Sequence, residues 1–273
     1  MIYQYLPPAP GLNEFVRDYL VAHFVFDPLQ PVPFKPYSPK PEQTITFLPR
    51  GSLTIINPLT GAAQSTSAIN ICGQQVSRQN FHLSPEYLMV RVHFHPGALY
   101  RLLGIPLWEF TDRWFDAGPV ISREIREVNE RLGNCSDYEE MIRVVELWLE
   151  GRIRQVKADL HPIDKVAACI LANPSRSMDW LAGQACLCER QFYRKFTERM
   201  GISPKLFSRI VRFYGAYQYK ETHPSESWLS VALLSGYTDY QHMAKDFREF
   251  ALAGPNLWIS EDKQSPERIL HLE

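Results

Sequence analysis

The chain has 273 residues, 45% of them hydrophobic and 22% charged, the composition of a folded globular protein with room for two domains. No apolar run reaches the roughly 18 residues of a membrane span, and residues 1–10 lack a basic head before an apolar core, so neither a transmembrane helix nor a cleaved secretory signal is expected. Five scattered cysteines (72, 135, 169, 186, 188) form no CxxC pair and no zinc spacing, which fits reduced thiols in a cytoplasm.

Eleven of the 21 prolines fall in the first 60 residues. Proline removes a donor and fixes φ, so helix there is confined to Gly11–Ala22. Short β-type runs follow at Thr44–Leu48 and Leu53–Ile56, separated by Arg50-Gly51. Residues 88–95 alternate: Leu88, Val90, Val92 and Phe94 face one way, Met89, Arg91, His93 and His95 the other. Residues 1 to about 100 thus read as a mostly antiparallel β-barrel or sandwich with some helix. From Ile121 the period changes to that of helices. One covers Ser122–Leu132, and a second starts at a capping box of Ser136 and Glu139. Its stripe of Met141, Val144, Val145, Trp148, Leu149, Ile153 and Val156 is either core or, at Met141, Val145, Trp148 and Leu149, a homodimer contact. Ala158–Pro162 reads as a linker, and the rest to about Trp258 as helix. The fold class expected is α+β: a β-rich domain with helices over 1–158, an all-α domain over 161–258, and a tail over 259–273.

The net charge of −1 hides a local pattern. Residues 174–220 carry nine Lys or Arg against three acids, whereas residues 221–273 carry four against nine. A basic island in a neutral chain suits a local polyanion contact, although a solvated helix face would look the same. The helical half also repeats itself at an offset of 50 to 51 residues. Trp180-Leu181-Ala182, Cys186-Leu187-Cys188, Phe192, Phe196, Gly201 and Pro204 match Ser230-Val231-Ala232, Gly236-Tyr237-Thr238, Met243, Phe247, Leu252 and Pro255. Each copy is a short helix with a small alanine, a tight turn, and a second helix anchored by apolar residues at i and i+4. That is a helix-turn-helix. Its outward residues would be Glu189, Arg190, Gln191, Arg194 and Lys195 in the first copy, and Tyr240, Gln241 and Lys245 in the second. Arginine can read guanine, glutamine adenine, and lysine neutralises phosphate. A linker helix from Pro204 to about Glu221, with Lys205 and Arg209 on its polar side, joins the two units.

On these residues the segment 174–258 resembles the DNA-binding domain of the AraC/XylS family of bacterial transcription regulators. The pattern includes Leu181-Ala182, Arg190, Phe192, Arg194, Phe196, Gly201-Ile202-Ser203-Pro204, Arg212, Ala216, Val231-Ala232, Gly236-Tyr237, Asp239, Gln241-His242, Phe247 and Pro255. It departs at Leu252, where glycine is usual, at Ile259, where arginine is common, and at Cys188, where serine usually caps the helix. More weakly, His95-Pro96-Gly97-Ala98 with Leu103-Gly104-Ile105-Pro106 resembles a set of members whose first domain has no assigned ligand. The resemblance implies a double-stranded DNA partner, a small-molecule effector, contact with RNA polymerase if the protein activates, and a bacterial cytoplasmic location at the nucleoid when bound.

Rival chemistry is thinner. His93-x-His95 invites a metal, but no carboxylate follows it, so two satisfied strand histidines are the plainer reading. With Arg91 on the same face, Arg91, His93 and His95 could instead hold a small anionic effector. Cys186-x-Cys188 fits a structural thiol pair better than a redox switch. No P-loop, GxGxxG, GxSxG or HExxH occurs, so neither a cofactor nor an enzyme activity is expected. The alternative from another class is a cupin-like or small-molecule-binding enzyme whose helical tail only oligomerises.

Overall fold

The computed structural model describes residues 1–27 and 29–272; Pro28, inside the proline-rich stretch, and Glu273, at the end of the tail, lie outside the described residues. Ten strands are described: β1 Ile2–Leu6, β2 Val16–Val25, β3 Lys35–Tyr37, β4 Thr44–Arg50, β5 Leu53–Ile56, β6 Ala63–Ser65, β7 Ile69–Cys72, β8 Gln79–Leu83, β9 Glu86–Phe94 and β10 Trp114–Asp116. They pair antiparallel into two sheets, ordered β1-β2-β9-β4-β7-β10 and β3-β8-β5-β6. Helices α1 Ala98–Leu103, α2 Ala117–Val120, α3 Glu124–Asn134 and α4 Tyr138–Ile153 complete this half.

The larger sheet is covered on both faces. Val90, Val92 and Phe94 of β9 join Ile45 and Phe47 in a core with α1, α3 and α4, while Tyr87 and Met89 join Leu20, Phe24 and Phe81 between the sheets. The alternation of residues 88–95 therefore separates two buried environments, not an inside from an outside. Expected helix at Gly11–Ala22 is mostly strand. Only Pro10–Leu12 makes a 3-10 turn, and β2 runs the length of the sheet from Val16. Burial on both faces gives it a nearly continuous apolar run, which masks the period of two. The expected cap of α4 is displaced by one residue. Asp137, not Ser136, is the N-cap and accepts from Glu140 N–H, while the Ser136 hydroxyl donates to the Glu140 carboxylate.

The helical half is α5 Pro162–Ala172, α6 Met178–Gln184, α7 Glu189–Met200, α8 Pro204–Thr222, α9 Trp228–Leu234, α10 Tyr240–Phe250, α11 Pro255–Asp262 and α12 Pro266–Ile269. A single core runs from Ile163 of α5 to Trp258 of α11. Of the span 259–273, set apart as a tail in the sequence, the described residues continue α11 and add α12. Three of the acids there have partners. Glu261 meets Arg78, Glu267 meets Lys35, and Asp262 accepts from the Tyr217 hydroxyl (2.6 Å).

Candidate nucleic-acid interface

Each helix-turn-helix closes on a small residue. Ala182 of α6 and Ala232 of α9 are buried, as are the pairs Phe192/Phe196 beneath α7 and Met243/Phe247 beneath α10. The two turns are built alike: Leu187 N–H donates to Ala182 O (3.1 Å) and Tyr237 N–H to Ala232 O (2.9 Å). Both require a left-handed residue. Gly236 supplies it at φ +82°, and Cys186 takes the matching position at φ +53° without a glycine's freedom. Asp239 caps α10 by accepting from His242 N–H (2.8 Å), whereas Cys188 caps α7 with no side-chain hydrogen bond. Ser203 caps α8, the helix that links the units, by accepting from Leu206 N–H (3.3 Å).

On the outer surface of α7, Glu189, Arg190, Gln191 and Arg194 are exposed, as are Lys205 of α8 and Gln241 and Lys245 of α10. None of the cations among them has an ion pair among the described residues, so their charge is available to a ligand. Tyr240 is half-buried against the helical core. Lys195 is half-buried too and is paired with Glu198 (2.9 Å), which also accepts from Tyr100 of the sheet half (2.7 Å). Arg209 differs from its expected role. Its guanidinium donates to Asp246 (2.7 Å) and Glu249 (2.6 Å) of α10, and the buried Asp246 carboxylate also accepts from Tyr237 (3.1 Å). Arg209 is a strut between α8 and α10, its charge already met by two carboxylates.

A cleft of about 1130 Å³ lies between the sheets and the helical half, bounded by Tyr5, Lys40 and Glu42 on one side and Ser175, Tyr214 and Trp258 on the other. Lys40 has no ion pair among the described residues; its ammonium lies 4.9 Å from the Tyr37 ring centre and 5.7 Å from that of Tyr214. Burial pushes the Glu42 carboxyl up, but facing His93, Lys40 and Arg91 outweigh it and hold it at about 2.

Residues 4–116 match DUF6597, a domain of unknown function. No curated protein matches the sequence. Among solved structures, ToxT from Vibrio cholerae strain SCE256 with an unsaturated fatty acid bound superposes with a TM-score of 0.50 at 11% identity, over 88% of this chain and 94% of that one. A second ToxT structure from the same species gives 0.50 at 10% identity, over 89% and 98%. The chain has the fold of ToxT. A probable AraC family transcriptional regulator from Rhodopseudomonas palustris CGA009 matches 37% of this chain and 96% of its own at 22% identity, with a TM-score of 0.33. The architecture read from the sequence, a β-rich first half and a helical second half, is thus the architecture shared with ToxT.

Within that fold the expected effector residues do not form an effector-sized pocket. Arg91 is buried and donates to Thr46 (3.1 Å) and Tyr37 (3.1 Å), and the space beside it between the sheets is only about 30 Å³, water-sized. His93, also buried, is bonded to Asp18 (2.6 Å) and lies 3.5 Å from Glu42. His95 lies past the end of β9, half-buried, its backbone N–H donating to Phe15 O (2.9 Å). Arg91 and His93 form a second layer behind the cleft wall, since Asp18 and Glu42 reach the cleft itself. Among the described residues no three His, Cys, Asp or Glu side chains converge on a metal position.

The expected dimer stripe is corrected outright. Met141, Val145 and Leu149 are buried in the core of the sheet half, and Trp148 stacks edge-on against Phe47 at 5.8 Å. A helix stripe looks the same whether it meets a partner or its own sheet, and here the sheet has it. Sequence reasoning also missed Arg78, Gln43, Thr111, Asp164 and Arg199, which join the two halves. None of them stands in a recognisable pattern.

Buried His93 and the half-buried His23, His95 and His161 set a pH dependence. Burial pushes the pKa of His93 down, and the same first cause lowers His23, His95 and His161. As pH falls through the ordinary histidine range, about 6.5, the unfolded chain takes up protons before the folded one does. Stability is therefore full above that pH and declines below it. Thermal melts between about pH 7.5 and 5.5 should show a falling midpoint, with a shallower slope in His93→Gln. A flat profile would mean that these rings are solvated.

Proposed function

We propose that the chain is a sequence-specific double-stranded DNA-binding regulator of transcription of the AraC/XylS type, acting in a bacterial cytoplasm under the control of a small molecule. The observation that carries the reading is the pair of structurally repeated helix-turn-helix units on one linker helix, with unpaired cations and amides on the outer surfaces of α7 and α10. A dry packing module would have no use for Arg190, Gln191, Arg194 and Lys245 held out together without partners. The effector, in this reading, enters the cleft beside Lys40, where an unpaired ammonium and tyrosine rings suit an amphipathic anion. That ToxT has been crystallised with an unsaturated fatty acid makes carboxylic acids with long apolar tails the first probes to try.

Mobility-shift titration of the full chain against genomic fragments at moderate salt tests the first half of this. Saturable, sequence-dependent binding is expected, and its absence would end the reading. The first unit should dominate, because the first two turns of α7 present two unpaired arginines and those of α10 a single unpaired lysine beside Tyr240 and Gln241, the other unpaired cation of α10, Arg248, standing in its last turn. Arg190→Ala or Arg194→Ala should weaken binding by about 1–3 kcal/mol and relax base preference at one position. Lys245→Ala should weaken all sites alike and lower the salt slope by about one. Equal losses from disabling α7 or α10 would overturn the ranking of the two units.

A further inference from the structure

The last turn of a helix leaves its carbonyls without intrahelical donors and carries partial negative charge. In both recognition helices these carbonyls are finished by side chains of the sheet half. At the end of α7, buried Gln43 donates through Nε2 to Met200 O (3.3 Å), and Thr111 Oγ1 donates to Gly201 O (2.9 Å). At the end of α10, Arg78 Nη1 donates to Ala251 O (2.9 Å). Arg78 is 7% exposed although it belongs to the loop before β8; it also pairs with Glu261 of α11 (2.6 Å) and lies over the Trp258 ring at 5.4 Å. Beside it Val76 packs against the helical core. The residue after Ala251 is Leu252 at φ +55°, a strained turn that Arg78 holds from one side.

From this we infer that the sheet half acts as a template for DNA recognition: Gln43 and Thr111 fix the end of the first recognition helix, Arg78 fixes the end of the second, and the separation of the two is set by the sheet half as well as by α8. Arg78 is a positioning residue, since it reaches α10 by its carboxyl end and not by the surface offered to DNA. The inference rests on the DNA-binding reading above and adds to it the residues that determine half-site spacing. A purely structural arginine would change stability alone. A template residue changes which spacings are accepted.

Two measurements on the full chain separate these. The first is amide hydrogen exchange without DNA. Arg78→Ala should raise exchange over α9–α11 by at least tenfold and leave α6–α7 unchanged, while Thr111→Val should do the converse; uniform exchange changes, or none, would overturn the pinning. The second uses the tightest fragment recovered by the wild type, with one or two base pairs inserted between the segments that the two units protect. The wild type should lose at least tenfold in affinity on insertion. Arg78→Ala should lose less than threefold on the same insertion, and Arg78→Lys, which keeps a cation and donor, should restore most of the discrimination. An insertion penalty unchanged in Arg78→Ala would overturn the inference while leaving DNA binding standing. A wild type that binds no fragment would instead remove the DNA-binding reading, and the template role with it, whatever the exchange data give. Should Arg78→Ala fail to fold, Thr111→Val, which removes one hydroxyl donor, carries the same spacing test for the first unit.

Discussion

A chain carrying Val145→Arg is expected to leave its sheet half unfolded. Val145 is 0% exposed on α4, in the same core as Phe47 and Val92. Arginine there has no room and no partner. Burying an unpaired charge in a packed core is among the few single changes that exceed about 4 kcal/mol, a large share of the roughly 5–15 kcal/mol that holds a domain folded. Circular dichroism and melting of the purified variant decide it: loss of the cooperative transition is expected. A soluble variant with an intact transition and a lower mass than the wild type would return the stripe to a subunit interface.

Arg199→Ala should be nearly as damaging, for an electrostatic reason. Arg199 of α7 and Asp164 of α5 form a bidentate pair at 2.6 and 2.5 Å, with side chains 6% and 1% exposed. The Tyr100 ring lies 4.5 Å from the guanidinium, and the Asp164 carboxylate also accepts from His161 N–H (3.0 Å). Gly97, at φ +79°, lets the sheet half press its backbone onto Asp164; a Cβ there would fall on the carboxylate. Removing arginine alone strands a buried anion, which costs about 3–5 kcal/mol. Replacing both members, Asp164→Asn with Arg199→Met, keeps an acceptor for His161 and leaves no charge, so much of the loss should return. Urea titration of the two single variants and the double one provides the cycle. A loss below about 1 kcal/mol for Arg199→Ala would mean that water already screens the pair.

What could be read from residues alone follows from where physics is local. The two helix-turn-helix units were legible because a small residue, a turn and an i,i+4 apolar pair recur at one offset, and each feature acts within a dozen residues. The departures were legible too: Cys188 does leave α7 without a side-chain cap, and Leu252 does sit in the left-handed region where glycine is usual. Strand β2 was hidden because both of its faces are buried, and β3, β6 and β10 because three residues carry no period. Arg209 looked like a phosphate ligand because nothing at its own position announces Asp246 and Glu249 on another helix. Gln43, Thr111 and Arg78 were invisible for the same reason, since each meets its partner 90 to 173 positions away. Isolated polar residues in loops give no pattern until the chain has folded.

The packing of the chain's end also changes how its electrostatics should be counted. Residues 221–273 hold nine acids against four cations, yet Asp246, Glu249, Glu261, Glu267 and Glu221 are each in an ion pair with a cation that lies outside that span or packs from a neighbouring element. To a polyanion at a distance such pairs look like dipoles, whose field fades faster than that of a single charge and is screened within about 10 Å in salt. The far field is left to the charges without partners, among them Arg190, Arg194, Lys205 and Lys245. Cutting the chain at Trp258 to tidy away an acidic end would thus deprive Arg78 of its counterion Glu261 and, if the chain binds DNA as proposed, would make the shortened protein attract nucleic acid less selectively than the intact one.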